Sequence, residues 1–212
     1  MTNIIFDLDG TLLDTLDDLA ASTNHALAAC NLPLRTTEEV RRFVGNGVGK
    51  LIERAVPANT DEEVTKRCLA AFRAHYAEHC LDRTLPYPDI MKTLTLLRER
   101  GVGMAIVSNK LQAAVSELNA RFFADHISIA VGETPQIARK PAPDMLLAAM
   151  NKLGATTSDT IYVGDADTDI LCARNAGIRC ISVTWGFRSR EFLTAHGAQT
   201  LIDNPKELLQ FT

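Results

Sequence analysis

Long apolar runs and long basic runs are both missing from this sequence. No stretch approaches the roughly 18 apolar residues of a membrane span, and no run of Lys and Arg exceeds two. With 22 Lys+Arg and 26 Asp+Glu, the formal net charge is −4. A membrane or a nucleic acid is therefore not an expected partner. The N-terminus has no basic segment followed by an apolar one, so we expect no signal peptide and a cytoplasmic protein.

Closely spaced cysteine pairs are also missing. The chain has 5 cysteines, an odd number, at positions 30, 68, 80, 172 and 180. We expect them to be reduced and to pack as small apolar side chains. The length of 212 residues suits one domain with an insertion or two small domains, and no internal repeat is present.

The first chemically informative stretch is the N-terminal strand with the turn after it. The apolar run 4–6 ends in Asp7 and Asp9, followed by Gly10 and Thr11. A short run that is apolar on both faces is typical of a central strand in a covered parallel sheet. Ligands bind at the carboxyl ends of such strands. Two neighbouring acids there are best tolerated beside a divalent cation or a shared proton.

The rest of the chain predicts an inserted helical unit and a parallel sheet. Residues 15–82 contain helix patterns and no strand candidate, whereas apolar strands alternate with helices afterwards. This alternation favours an α/β fold with a Rossmann-like parallel sheet and helices on both faces. We expect a core domain of residues 1–14 and 83–212, a helical domain of residues 15–82, and hinges near 13–16 and 83–87.

Polar side chains recur where the later strands end. Ser108 and Asn109 follow the second strand, Lys140 lies in the loop after the third, and Asp165 and Asp169 follow the fourth. Separately, these residues also suit a helix cap, a surface charge or a helix N-terminus. Parallel strands end at one edge of the sheet, so we expect these side chains to share that edge with Asp7 and Asp9.

In this order, the motifs resemble those of the haloacid dehalogenase superfamily. They are Asp7-x-Asp9-Gly10-Thr11, Ser108, Lys140-Pro141 and Gly164-Asp165-x-x-x-Asp169, and the helical insertion resembles that superfamily's cap domain. Segments 43–47, 53–55 and 183–187 are most similar to phosphoglycolate phosphatases, whereas Ala166 stands where many members carry Ser. The haloalkanoate dehalogenases lack the second acid, so Asp9 favours a phosphatase.

The resemblance implies a Mg²⁺-dependent phosphoric monoester hydrolase. Mg²⁺ would be held by Asp7, the backbone carbonyl of Asp9 and Asp165, and Asp169 would steady a metal-bound water or Lys140. Asp7 would attack phosphorus and form an aspartyl phosphate. Asp9 would protonate the leaving alkoxide and then deprotonate the attacking water.

The phosphate group would be held by side chains around this centre. Thr11, Ser108 and Asn109 would bind its oxygens, and Lys140 would help to neutralise its charge. The expected substrate is a small phosphorylated metabolite, with 2-phosphoglycolate the best candidate, and the expected protein is a monomer or homodimer.

The segment from Gly45 to Arg54 is a candidate substrate loop of the cap. We expect a flexible loop over 45–50, and we assign substrate contacts to Gly45, Asn46, Gly47, Lys50 and Arg54. The segment lacks the glycine spacing of a Walker loop, and a plain connector remains the other interpretation. Three alternative functions stay open: phosphonoacetaldehyde hydrolysis with Lys50 as a Schiff-base amine, a phosphosugar mutase, and a receiver-like signalling module phosphorylated on Asp7.

Overall fold

The computed structural model describes residues 2–212, and within them the chain forms two units. One unit joins the residues up to Leu13 to Pro86–Thr212, and the other spans Asp14–Leu85. These boundaries lie within three residues of the expected limits, 1–14 with 83–212 and 15–82. That the second unit acts as a cap remains a prediction.

The elements alternate as the sequence pattern predicts. In chain order they are β1 (Asn3–Phe6), β2 (Leu13–Asp14), α1 (Leu16–Ala29), α2 (Thr37–Phe43), α3 (Gly47–Ala55), α4 (Glu62–His79), β3 (Leu85–Pro86), α5 (Ile90–Glu99), β4 (Gly103–Leu111), α6 (Gln112–Phe122), β5 (Ile129–Glu133), α7 (Asp144–Leu153), β6 (Thr160–Gly164), α8 (Asp167–Ala176), β7 (Arg179–Val183), α9 (Arg190–Ala195), β8 (Leu201–Ile202) and a 3₁₀ helix (Pro205–Phe211). The strands β2 and β3 form a separate two-stranded pair.

A six-stranded parallel sheet organises the first unit. Its strand order is β5-β4-β1-β6-β7-β8, and every neighbouring pair is parallel. The chain builds outward from β1 on one side and then returns to build on the other, so β1 lies at the topological switch point, where α/β sheets bind their ligands. This architecture confirms the predicted fold class.

The interior of the sheet explains why β1 is apolar throughout. Ile4, Ile5 and Phe6 are all buried although successive side chains point to opposite faces, so both faces are covered. On one face, Ile5 and Tyr162 belong to a core cluster that includes apolar residues of α7 and α8. The covered sheet fixes where β1 ends and the acidic turn begins.

The helical unit corrects two predictions about local structure. Gly47–Lys50 is not a flexible loop, because α3 already begins at Gly47 after Asn46 in the left-handed conformation (φ 61°). Thr60 and Glu63 have the spacing that predicts a capping box. That prediction is also wrong, since Asp61 caps α4 by accepting from two backbone N–H groups. The Thr60 hydroxyl donates instead to the carbonyl of Pro57. The same spacing at Thr36 and Glu39 also predicts a capping box, and there the structure confirms it.

The end of the helical unit is fastened to its beginning by one buried acid. The carboxylate of Asp18 accepts hydrogen bonds from the backbone N–H groups of Arg83 and Thr84 and from the Thr84 hydroxyl. A buried carboxylate needs such donors to offset its lost hydration. Asp18 therefore closes the unit just before the chain returns to the first unit at Pro86.

Candidate active site at the carboxyl edge of the sheet

The turn after β1 places the two acids of the first motif. The backbone N–H of Asp7 donates to the Val163 carbonyl of β6 at 2.8 Å, so Asp7 continues the sheet. Its Oδ1 accepts from the N–H of Leu8 at 2.7 Å. Gly10 has a φ of 82°, and a Cβ there would lie 2.4 Å from Oδ2 of Asp165. Only glycine permits this close approach of the turn to Asp165.

Lys140 is the centre of a buried ion cluster. Its Nζ lies 2.8 Å from Oδ1 of Asp7 and 2.7 Å from Oδ1 of Asp169, and it donates to the Tyr162 hydroxyl at 3.0 Å. Burial works against the charged ammonium, but Asp169 and Asp7 outweigh it and raise the Lys140 pKa. Lys140 is therefore a permanent cation beside the predicted nucleophile.

Burial and repulsion between neighbouring charges raise the pKa of two carboxyl groups at this site, those of Asp7 and Asp165. Burial raises the pKa of Asp165 to about 7, and the charge of Asp169 adds to the effect. Burial also raises the pKa of Asp7 well above its usual range, although Lys140 opposes the shift. A cation bound between these groups would relieve the repulsion.

The acidic cluster fits a hard divalent cation. Asp7, Asp165 and Asp169 are buried, and each can offer one oxygen within 4.8 Å of the others. Both oxygens of Asp169 already accept hydrogen bonds, Oδ1 from Lys140 and Tyr162 and Oδ2 from the Ala166 N–H. That arrangement suits the predicted role of Asp169 outside the metal's own ligands. Carboxylate oxygens are donors that Mg²⁺ prefers.

The polar residues that were expected to follow the second strand lie within its last part, because β4 runs to Leu111. They divide between two tasks. Ser108 is buried, and its hydroxyl accepts from the backbone N–H of Lys110 at 3.2 Å. The Asn109 amide donates to the Lys140 carbonyl at 3.0 Å and accepts from the Lys140 N–H at 2.8 Å. Asn109 thus fixes the backbone that carries Lys140, a role that the sequence did not predict. Its predicted contact with phosphate remains a prediction.

The segment after β7 forms part of the wall of the site. The indole Nε1 of Trp185 donates to the Thr11 carbonyl at 3.0 Å, and the Phe187 N–H donates to Oδ2 of Asp165 at 2.7 Å. A Cβ on Gly186 would lie 2.3 Å from the carbonyl oxygen of Gly10. Thr11 itself is buried and donates to Oδ1 of Asp165 at 3.3 Å. This packing orients Asp165.

Sequence reasoning missed two residues of the site. Lys110 pairs with Oδ1 of Asp9 at 2.7 Å, and the Tyr162 hydroxyl lies between Lys140 and Asp169. Lys110 lies two positions after Ser108 near the end of a strand, which was a usable signal. Tyr162 falls within an apolar strand and gives no such signal. The role of its hydroxyl group can be recognised only from the residues around it in the folded structure.

The candidate substrate residues of the helical unit have partners of their own. Lys50 pairs with Glu53 one turn later on α3. Arg54 donates to the carbonyls of Phe43 and Gly45 at 2.8 and 3.4 Å. Arg54 therefore stabilises the backbone around Gly45. The predicted contacts of these residues and of Asn46 and Gly47 with substrate stay predictions.

Comparisons with known proteins identify the family and several relatives of this chain. Residues 4–183 match the family model described as haloacid dehalogenase-like hydrolase. The chain is 36% identical to phosphoglycolate phosphatase 1 of Pseudomonas aeruginosa, with 97% of this chain and 78% of that protein covered. It is 35% identical to the phosphoglycolate phosphatase of Haemophilus influenzae, with 96% and 95% covered. The crystal structure of a predicted phosphoglycolate phosphatase from Haemophilus somnus superposes with a TM-score of 0.90 at 30% identity, covering 100% and 97%.

The chain belongs to the haloacid dehalogenase-like hydrolase family. Within that family it is a phosphatase, a phosphoric monoester hydrolase similar to the phosphoglycolate phosphatases, which sets aside the receiver-like alternative. Among residues 2–212, no helix combines the length and the apolar character needed to cross a bilayer.

Proposed function

We propose that this chain hydrolyses 2-phosphoglycolate to glycolate and phosphate in a Mg²⁺-dependent reaction through an aspartyl phosphate. The observation that carries the proposal is the contact between Lys140 and Asp7, with Nζ 2.8 Å from Oδ1. A buried cation beside a buried carboxylate allows a phosphate dianion to approach an anionic nucleophile. The names of the relatives supply the best candidate for the substrate.

In the first step, a carboxylate oxygen of Asp7 forms a bond to phosphorus as the bond from phosphorus to the ester oxygen breaks. Asp9 gives its proton to the departing alkoxide, which leaves as the hydroxyl of glycolate. In the second step, Asp9 takes a proton from water, and the resulting hydroxide attacks phosphorus. The bond from phosphorus to Asp7 then breaks, which releases phosphate and restores both carboxyl groups.

The phosphoryl oxygens need hydrogen-bond donors throughout both steps. We assign this role to Thr11, Ser108 and Asn109, together with the ammonium of Lys140. Thr11 and Ser108 are buried at the same edge of the sheet as Asp7. Donors held rigidly in a buried site stabilise the charge of the transition state more strongly than mobile water does.

The metal would be held by Asp7, the backbone carbonyl of Asp9 and Asp165, with Asp169 supporting the site through Lys140. When bound, Mg²⁺ supplies positive charge that offsets the carboxylates and the phosphoryl oxygens. The raised pKa of Asp165, to about 7, supports this assignment because crowded buried carboxylates favour a bound cation.

The helical unit, residues 14–85, is proposed to act as a cap that restricts the substrate to small esters. Exclusion of water by a closing domain limits competing reactions at the phosphoryl group. A protein phosphosite would then be a poor substrate. Within the unit we assign recognition of the glycolate carboxylate to the region of Gly45, Asn46, Gly47, Lys50 and Arg54.

The deciding experiment measures kcat/KM over a panel of phosphate esters, including 2-phosphoglycolate, sugar phosphates, a phosphopeptide and p-nitrophenyl phosphate. We expect 2-phosphoglycolate to give the highest value. Turnover should cease after chelation, return with Mg²⁺ and be inhibited by Ca²⁺, since Ca²⁺ accepts looser geometry and can bind a carboxylate through both oxygens. Full activity after exhaustive chelation, or preference for the phosphopeptide, would contradict the proposal.

The covalent intermediate is tested separately. Acid quenching during turnover of ³²P-labelled substrate should leave label on the peptide that contains Asp7.

The two remaining alternative functions can be tested directly. Borohydride trapping with phosphonoacetaldehyde would reveal a Schiff base on Lys50, and conversion of one sugar phosphate into its isomer would reveal a mutase.

A further inference from the structure

A second lysine lies at the carboxyl edge of the sheet. The Nζ of Lys110 is 2.7 Å from Oδ1 of Asp9, and the two side chains are only 6% and 18% exposed. Removing an ammonium from water to this degree costs more than a surface ion pair returns, unless a well-placed anion compensates. The burial of both side chains therefore distinguishes this ion pair from the exposed ion pairs on the surface of the protein.

The backbone that carries Lys110 is held in a fixed position. Its N–H donates to the Ser108 hydroxyl at 3.2 Å. A Cβ on Gly132, in the neighbouring strand β5, would lie 2.8 Å from the Lys110 carbonyl oxygen and 2.7 Å from Cα of Gln112. Strand β5 therefore packs directly against the Lys110 backbone, and these contacts hold the backbone from which the ammonium extends.

The two lysines of the site form ion pairs with different acids. Lys140 contacts Asp7 and Asp169, on the nucleophile side, whereas Lys110 contacts Asp9. The Lys110–Asp9 pair also joins the turn after β1 to the end of β4. An acid that transfers a proton to one particular oxygen must be held in one orientation, because misplacement by about 1 Å can cost a hundredfold in rate.

We propose that Lys110 is a positioning residue that orients the carboxyl group of Asp9 towards the leaving-group oxygen. The proposal rests on the proposed function, since it needs Asp9 to be the acid that protonates the leaving group. Lys110 itself donates no proton to substrate and contacts no phosphoryl oxygen. Its effect on the rate should therefore depend on how much the leaving group needs a proton.

The test exploits that dependence with three esters. 2-Phosphoglycolate and ethyl phosphate release basic alkoxides that need protonation, whereas p-nitrophenyl phosphate releases a weakly basic phenolate. We expect Lys110→Met to lower kcat/KM at least about tenfold for both alkyl esters and less than about threefold for p-nitrophenyl phosphate. Lys110→Arg, which can keep the ion pair, should recover most of the loss. Lys152→Met, at an exposed lysine of α7, is the matched control and should change none of the three.

A double-mutant cycle tests whether Lys110 acts through Asp9. In an Asp9→Asn background, Lys110→Met should cause no further loss on the alkyl esters, because the group that it orients is already gone. If Lys110→Met does not fold, as judged by its melting transition, Lys110→Gln makes the same comparison with a smaller change in hydrogen bonding.

Three outcomes would overturn the inference. An equal loss on all three esters would indicate a general electrostatic or structural role. A loss confined to 2-phosphoglycolate would make Lys110 a contact for the substrate carboxylate instead. Independent, additive losses from Lys110→Met and Asp9→Asn would show that the two residues act separately. Wild-type protein inactive on every ester would contradict the proposed function and is thus a distinguishable failure.

Discussion

Charged side chains are used differently in the two units of this protein. At the sheet edge, Lys140 and Asp169 form an ion pair whose side chains are 3% and 0% exposed. On α4 of the helical unit, Lys66 and Glu62 form a pair whose side chains are 60% and 84% exposed. The first pair is surrounded by other titratable groups, whereas the second lies one helical turn apart on a surface.

The physical difference lies in what happens when one partner is removed. An exposed pair contributes about 0–1 kcal/mol, because water replaces the missing partner. Removing one member of a buried pair leaves an uncompensated charge and costs about 3–5 kcal/mol. Charged side chains are therefore present at the sheet edge although burying them lowers the free energy of unfolding. Such a cost is typical of a catalytic site. Charge on the helical unit should matter only where it meets a ligand.

The largest effect is expected at the nucleophile. Asp7→Asn keeps the shape of the side chain but removes its ability to attack phosphorus, so turnover should fall at least about a thousandfold. The variant should stay folded, since the remaining partner Asp169 still pairs with Lys140. Initial rates on p-nitrophenyl phosphate, together with a thermal melt, measure both expectations. Substantial turnover by a folded variant would remove Asp7 from this role.

The second prediction concerns the stability of the buried cluster. Lys140→Met should lower the free energy of unfolding by about 3–5 kcal/mol, because Asp7 and Asp169 lose their shared cation. Denaturant unfolding without divalent cations is the measurement. Lys66→Met in the helical unit is the matched control and should leave the denaturation midpoint nearly unchanged, because its exposed charges are solvated by water. Similar losses from both variants would invalidate the contrast between the units.

The same contrast explains how much could be predicted from the sequence. The sheet and the edge that carries Asp7, Ser108, Lys140 and Asp165 were predictable, because apolar runs define strands and parallel strands end together. The first and last residues of individual helices were harder to predict. Gly47 suggested a loop but begins α3, since Asn46 takes up the left-handed conformation just before it.

Contacts between distant parts of the chain could not be predicted from local patterns. The Lys110–Asp9 ion pair joins residues 101 positions apart, and the Trp185–Thr11 hydrogen bond joins residues 174 apart. The Tyr162 hydroxyl is equally hidden, because a tyrosine within an apolar strand is usually explained by packing alone. Such partners depend on the tertiary fold and leave no periodic signal in the sequence.

The third prediction is a gain in the stability of the folded protein, whereas the second is a loss. The folded-state pKa of Asp165 is raised from 3.8 to about 7, so between these values the folded state binds more protons than the unfolded state. Stability therefore falls as pH rises through this window. Asp165→Asn should raise the melting temperature of the metal-free protein at pH 8 by at least about 3 °C, and the gain should vanish near pH 4.

Two controls sharpen this prediction. Asp125→Asn, at an exposed position, should leave the melting temperature unchanged. Added Mg²⁺ should raise the melting temperature of the wild type more than that of Asp165→Asn, because a ligand of the folded state stabilises it by mass action. A variant less stable than the wild type at pH 8 would show that the hydrogen bonds to Asp165 outweigh its buried charge.

The smallest effect is expected in the helical unit, where an exposed charge is proposed to contact substrate. Lys50 forms an exposed pair with Glu53, so Lys50→Ala should leave the melting temperature unchanged. It should nevertheless lower kcat/KM for 2-phosphoglycolate about tenfold, a loss of about 1.4 kcal/mol of transition-state binding. The reason is that 2-phosphoglycolate has a second anionic group that p-nitrophenyl phosphate lacks. Turnover of p-nitrophenyl phosphate should therefore be nearly unchanged.

Arg54 is the matched alternative one turn further along α3. Because Arg54 donates to the carbonyls of Phe43 and Gly45, Arg54→Ala should disturb the local backbone and affect both substrates. Lys66→Ala, which also removes an exposed paired lysine, should affect neither. If Lys50→Ala depresses both substrates equally, or neither, Lys50 does not recognise the carboxylate. A selective loss in Arg54→Ala instead would transfer that role to Arg54, because its guanidinium would then be binding substrate in addition to supporting the backbone around Gly45.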